Sequence, residues 1–129
     1  MYKQNKMNKN LSITAFLGFL AIVFGAFGAH ALKEKLGIDG LKNFETGVRY
    51  LMYHVIVLLF VNTYNDFTTK VKNRISLFFF IGILFFSGSL FAITAGNIAA
   101  KSIWFVTPLG GLFLIFGWLS LLYQFAKRN

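Results

Sequence analysis

The chain has 129 residues, is 57% hydrophobic, contains no cysteine and carries a formal net charge of +9 at pH 7; its mean hydropathy is +0.64. Charges are confined to short intervals between long uncharged stretches, which excludes a soluble domain and points to an integral membrane protein. The absence of cysteine excludes disulfides, thiolate metal sites and a Cys nucleophile, and basic residues scattered at segment boundaries argue against nucleic acid as a partner.

The chain opens on MYKQNKMNKN, read as a basic cytoplasmic tail over residues 1–10, and a run without charge follows from Leu11 to Leu32. Tail and run together have the outline of a secretory signal peptide, and Ala29-His30-Ala31 fits an A-x-A cleavage pattern. The apolar core exceeds the about 7–15 residues of such peptides, so the segment is expected to stay as the first membrane helix. A hydrocarbon core needs about 20 mostly apolar helical residues, and three further segments approach that length, at 48–64, 75–95 and 103–126.

The first connection, KEKLGIDGLKNFETGVRY, reads as more than a loop. Asp39 suits an N-cap, and Leu41, Phe44, Val48, Leu51, Val55 and Leu58 recur at intervals of three or four. The second helix is therefore expected to start near residue 40, outside the hydrocarbon. Glu45 and Arg49, four apart, are expected to pair at the interface. The links NDFTTKVKNR and GNIAAKS are short and polar. Pro108 falls near the start of the fourth helix, where a missing N–H costs little, and Trp104 and Trp118 stand toward its two ends. Short links force an up-down-up-down order, so residues 11–129 are predicted to form one all-α domain, a polytopic membrane protein built as an antiparallel four-transmembrane-helix bundle. Eight of the thirteen basic residues fall with the two termini and the second connection. That asymmetry predicts a multi-pass protein of the inner or plasma membrane with both termini cytoplasmic.

Between helices in lipid, association depends on small residues and buried polar contacts. Gly25, Gly28 and Ala29 on the first helix, Gly88 on the third, and Gly110 and Gly111 on the fourth are the expected packing positions. Seventeen phenylalanines need no ligand, since lipid-facing positions accept large apolar side chains.

Two imidazoles stand out in this setting. His30 ends the apolar run of GAFGAHAL and His54 lies two turns into the second membrane segment, so antiparallel helices place them at comparable depth as potential neighbours. With Tyr50, Arg49 and Glu45 they form the candidate polar cluster. Three readings stay open: a structural hydrogen bond to another helix, a proton or ion relay, and a metal or bis-imidazole haem site, for which two histidines supply only two ligands. No serine nucleophile motif occurs and the four acidic residues lie in connections, so no catalytic residue, metal or cofactor is assigned.

GAFGAHAL (25–32), FETGVRYLMYH (44–54), FFSGSLF (85–91) and TPLGGLFLIFGW (107–118), in this order and spacing, resemble the YgdD/YwdK-type family of small bacterial membrane proteins of unknown function, to which eukaryotic transmembrane protein 256 is similar. The resemblance implies a single four-helix inner-membrane domain, with motif positions at Gly25, Gly28, His30, Tyr50, His54, Gly88, Pro108, Gly110 and Gly111, and no established activity. This chain has Phe91 where the family pattern implies Tyr, so a hydroxyl role there is not carried over. The leading expectation is a non-enzymatic structural or accessory component acting through helix packing. It would sit in the lipid bilayer as a homo-oligomer or beside another membrane protein, with no known small-molecule substrate. The alternative is a small transporter or proton-coupled channel using His30 and His54.

Overall fold

The computed structural model describes residues 2–127; the side chains of residues 2–8 and of Ala29 lie outside the described set, as does Arg128. Four helices follow one another, α1 (Tyr2–His30), α2 (Lys33–Thr63), α3 (Thr69–Thr94) and α4 (Val106–Ala126), with a short 3-10 turn at Ala100–Ser102. All four are long and apolar enough to cross a membrane, and the fold is the expected all-α antiparallel arrangement.

Several boundaries move, each for a local reason. α1 reaches back to Tyr2, because nothing in the basic segment, neither Gly nor Pro, stops a helix there. α3 begins at Thr69 and not near 75, since the Thr68 hydroxyl accepts the Val71 N–H at 3.2 Å and caps it. α4 begins at Val106 and not at 103 because the 3-10 turn occupies the preceding residues. In α2 the helical path breaks at Gly37 (φ 71°, ψ −176°), a conformation that glycine alone takes without strain. The long part of α2 restarts after that break. Asp39 therefore stands in its first turn and not at the cap, where its carboxylate still favours the positive helix end.

Cross-helix contacts fix the direction of each helix. Asn10 meets Asn62 and Asn73, while Gly28 faces Phe44 and Gly47 faces Phe91. The start of α1, the end of α2, the start of α3 and the end of α4 thus share one end of the bundle, called here the terminal end. α1 packs along α2, α2 along α3 and α3 along α4, and α1 touches α3 along a narrower strip. α2 and α3 form the middle, with α1 and α4 on the flanks.

The buried stripes explain this packing. On α4 they are Gly110, Leu114, Gly117, Leu121 and Gln124, alternating spacings of four and three that keep one seam facing α3. On α1 the buried residues Thr14, Ala21 and Gly28 stand seven apart. On α2 the expected stripe is largely present, with Phe44, Leu51, Val55 and Leu58 buried. The rings of Phe24, Phe44 and Phe91 pack at 5.0 to 6.4 Å centroid separation and fill the end away from the termini. Phe91 has no hydroxyl and serves there as an apolar wedge.

Candidate functional site

His54 lies on the buried stripe of α2 and is 4% exposed. Its Nδ1 is 2.7 Å from the Tyr50 carbonyl oxygen, and its Nε2 accepts the Trp118 indole N–H from α4 at 3.0 Å. Indole Nε1 only donates, so Nε2 must carry the lone pair and Nδ1 the proton. The neutral Nδ1–H tautomer satisfies both contacts, whereas a proton on Nε2 would set N–H against N–H. The ring is enclosed by Phe79 at 5.3 Å and Trp118 at 6.0 Å. Gly117 makes room for this arrangement: a Cβ there would meet the Phe79 ring at 2.5 Å. The chemistry of the site is accordingly that of a cross-helix tie, worth about 0.6 kcal/mol by the average for membrane helices.

His30 does not join it. α1 and α2 run antiparallel with Gly18 facing Val55 and Gly28 facing Phe44, so the level of His54 on α1 is about twelve residues from His30, about 18 Å at the helical rise. The expectation that the two imidazoles are neighbours is thereby corrected: comparable depth would require His54 to stand near residue 42. His30 is exposed and closes α1. Tyr50 is 39% exposed, and its ring stacks on His54 at 6.5 Å and tilts against Phe86 at 5.0 Å. Glu45 and Arg49 are exposed and border a shallow depression with Gly25 and Val48. The Arg49 guanidinium donates to Thr46 Oγ1 at 3.4 Å in place of the expected pair with Glu45. The five residues of the candidate cluster are thus spread over a buried tie, a half-covered ring and an exposed end. Among the described residues no group of three or more His, Cys, Asp or Glu is placed to hold a metal ion.

The larger polar feature lies at the terminal end. Asn10 Nδ2 donates to Asn62 Oδ1 at 3.0 Å and to Asn73 Oδ1 at 2.9 Å. Asn62 Nδ2 in turn donates to Ser76 Oγ at 2.8 Å and to the Leu58 carbonyl at 2.9 Å. Asn62 and Ser76 are each 1% exposed, so three helices are joined through a buried amide ladder. Toward the other end, Ser87 Oγ donates to the Gly47 carbonyl at 2.7 Å, and the Ser89 and Thr107 hydroxyls bond each other across α3 and α4. The signal for Asn62 was its position, four residues beyond Leu58 on the buried stripe. Asn10 stands four before the buried Thr14 in what reads as a tail.

The expected packing glycines divide. A Cβ on Gly110 would stand 2.3 Å from the Phe86 backbone nitrogen, and one on Gly28 2.4 Å from the Phe44 ring. Gly25 meets Val48 at 3.4 Å, while Gly88 and Gly111 have nothing nearer than 4.0 and 3.9 Å. The expectation of tight packing is corrected at Gly88, whose nearest neighbour is Leu84 of its own helix, and at Gly111, which stands in ordinary contact with Phe86 of α3; Ala29 lies outside the described side chains. Gly82, where a Cβ would meet Leu114 at 2.5 Å, is a tight contact that isolated glycine spacing did not single out. Gly88 instead lines an apolar cleft of about 400 Å³ between α1 and α3, with Leu17, Leu20, Phe24 and Ile83.

Residues 24–111 match the family described as "Protein of unknown function (DUF423)". The UPF0382 membrane protein of Haemophilus influenzae is 38% identical over 122 residues, covering 95% of this chain and 97% of the relative. A UPF0382 membrane protein of Staphylococcus saprophyticus is 38% identical, over 83% of this chain and 88% of its own. The inner membrane protein YgdD of Escherichia coli is 31% identical, over 87% and 85% respectively. No solved structure matches the chain.

Proposed function

The chain belongs to the DUF423 family of unknown function, and we propose that it works without catalysis, as a structural or accessory membrane component that acts by packing against another membrane protein or a second copy of itself. The observation that carries this reading is how the interior polar groups are used. Asn10, Asn62, Ser76, His54, Ser87 and Ser89 all bond another helix. No fully buried side-chain nitrogen or oxygen among the described residues lacks a partner. A catalytic or relay site needs a reactive group addressed to substrate or water. Here most of the interior polar bonding joins helix to helix, which leaves the lipid-facing exterior as the working surface.

Within that exterior the cleft between α1 and α3, with the open Gly88 on its wall, suits close approach of another helix, since small residues let backbones draw together. The distribution of Lys and Arg supports an orientation with both termini in the cytoplasm. The chain has no cysteine, so single-cysteine cross-linking in native membranes is a clean test. Gly88→Cys is expected to give a covalent species that Leu112→Cys, on the exposed side of α4, does not. Monomer alone from both variants would count against the packing reading. A pH-dependent flux in proteoliposomes that His54→Phe abolishes while the fold survives would replace it with the transporter or channel alternative.

A further inference from the structure

We propose that the groove between α3 and α4 at the terminal end is a binding site for one phospholipid with an anionic headgroup, independently of the packing reading. The groove holds about 380 Å³ and its two ends differ in chemistry. At the helix ends it is lined by Arg74, Ser120, Tyr123 and Gln124. Deeper along the helices it is lined by Phe78, Phe116 and Leu119, the two phenylalanine rings lying 6.1 Å apart. A cation and hydroxyls at the membrane boundary, continued inward by an apolar channel, match the order of phosphate and acyl chain in a leaflet.

Two observations indicate a missing ligand. Gln124 is 6% exposed, yet among the described residues its carboxamide has no hydrogen-bond partner, unlike the other buried polar side chains; its remaining exposure opens onto this groove. Among the described residues no side-chain nitrogen or oxygen is sealed off without a partner, so the Gln124 amide keeps access to the groove, where a phosphate or glycerol oxygen supplies the bond that no other side chain makes. Arg74 is exposed and has no ion pair among the described residues, although its planar fork is suited to two phosphate oxygens. The Lys127 ammonium stands 5.5 Å from the centre of the Tyr123 ring and adds a second positive charge at the same mouth. Two cations disfavour a zwitterionic headgroup, whose own ammonium would approach them, and favour a headgroup with net negative charge.

The test is native mass spectrometry of the full chain released from nanodiscs of dioleoyl phosphatidylcholine containing increasing dioleoyl phosphatidylglycerol. One phosphatidylglycerol should be retained in preference to phosphatidylcholine. Arg74→Gln should weaken that retention about tenfold and Gln124→Leu roughly threefold, the scale of a charged and a neutral hydrogen bond respectively. Leu119→Trp, which narrows the apolar end, should also reduce it, and keeps the test decisive if Arg74→Gln fails to fold. Lys33→Gln, at the opposite end of the bundle, should leave it unchanged. Equal retention of both lipids, undiminished retention in Arg74→Gln and Leu119→Trp, or displacement by inorganic phosphate alone would each overturn the proposal.

Discussion

The flanking helices α1 and α4 are held in different ways. α4 lies on α3 mainly through shape, with the Ser89–Thr107 hydroxyl pair beside it: Gly82, Gly110 and Gly117 each face a group that a Cβ would strike at 2.5 Å or less. At Gly110 the obstacle is backbone and cannot step aside. α1 meets α2 more loosely in its middle, where Gly18 and Gly25 face Val55 and Val48 at 3.2 and 3.4 Å. It is tight only at Gly28, and its terminal end is fixed by the Asn10 amide. In hydrocarbon, where apolar surface alone does little to join helices, close fit and polar bonding are alternative ways to the same end.

The comparison can be broken first at its strongest point. Gly110→Ala should destabilise the fold by about 3 kcal/mol, near the upper end for overpacking, because the Phe85–Phe86 backbone must move; an unchanged unfolding midpoint in a dodecyl sulfate titration would mean the seam is not set by shape. Next comes the polar end of α1. Asn62→Ala leaves Asn10 and Ser76 short of a partner, and a loss of about 2 kcal/mol is expected. Thermal aggregation measured by size exclusion in detergent would show it, and a variant as stable as wild type would reduce the amide ladder to decoration.

Gly28→Ala should cost about 1 kcal/mol, less than Gly110→Ala, since the obstruction is a phenylalanine ring that can turn. Parallel denaturation of the two variants gives the order directly, and a reversed order would refute the distinction between ring and backbone. Trp118→Phe removes the indole donor to His54 and should cost about 0.6 kcal/mol; it should also change the His54 ring resonances in an NMR spectrum, and unperturbed resonances would remove the tie. Smallest of all, Gly88→Ala should stabilise α3 by about 0.5 kcal/mol through helix propensity, because nothing occupies the space its methyl enters. A clear loss of stability there would place Gly88 in a seam after all.

The membrane spans were legible because hydrocarbon thickness imposes a length that a run of apolar residues either meets or does not. The seams were less so. Gly88 and Gly110 look alike in composition, each beside further small residues, and differ only in the direction they face around their helices. The alternation of four and three through Gly110, Leu114, Gly117 and Leu121 contains that direction, whereas small-residue spacing alone does not. The His54–Trp118 bond was hidden for a related reason: it joins the second helix to the fourth, and its existence depends on rotation and register together. Asn10 closes the polar, basic stretch MYKQNKMNKN, whose composition is that of a tail, although the helix continues through it and partly buries it. Asp39 was displaced from the cap by Gly37, whose positive φ resets where the helix starts.

Each helix after the first packs along the one made just before it. During synthesis a newly inserted segment therefore finds its docking face already in the bilayer and need not wait for a later one to close a ring. Assembly can advance in step with the ribosome, through nearest-neighbour pairing with short loop closures. A chain interrupted after the third segment should already hold α1, α2 and the amide ladder in place.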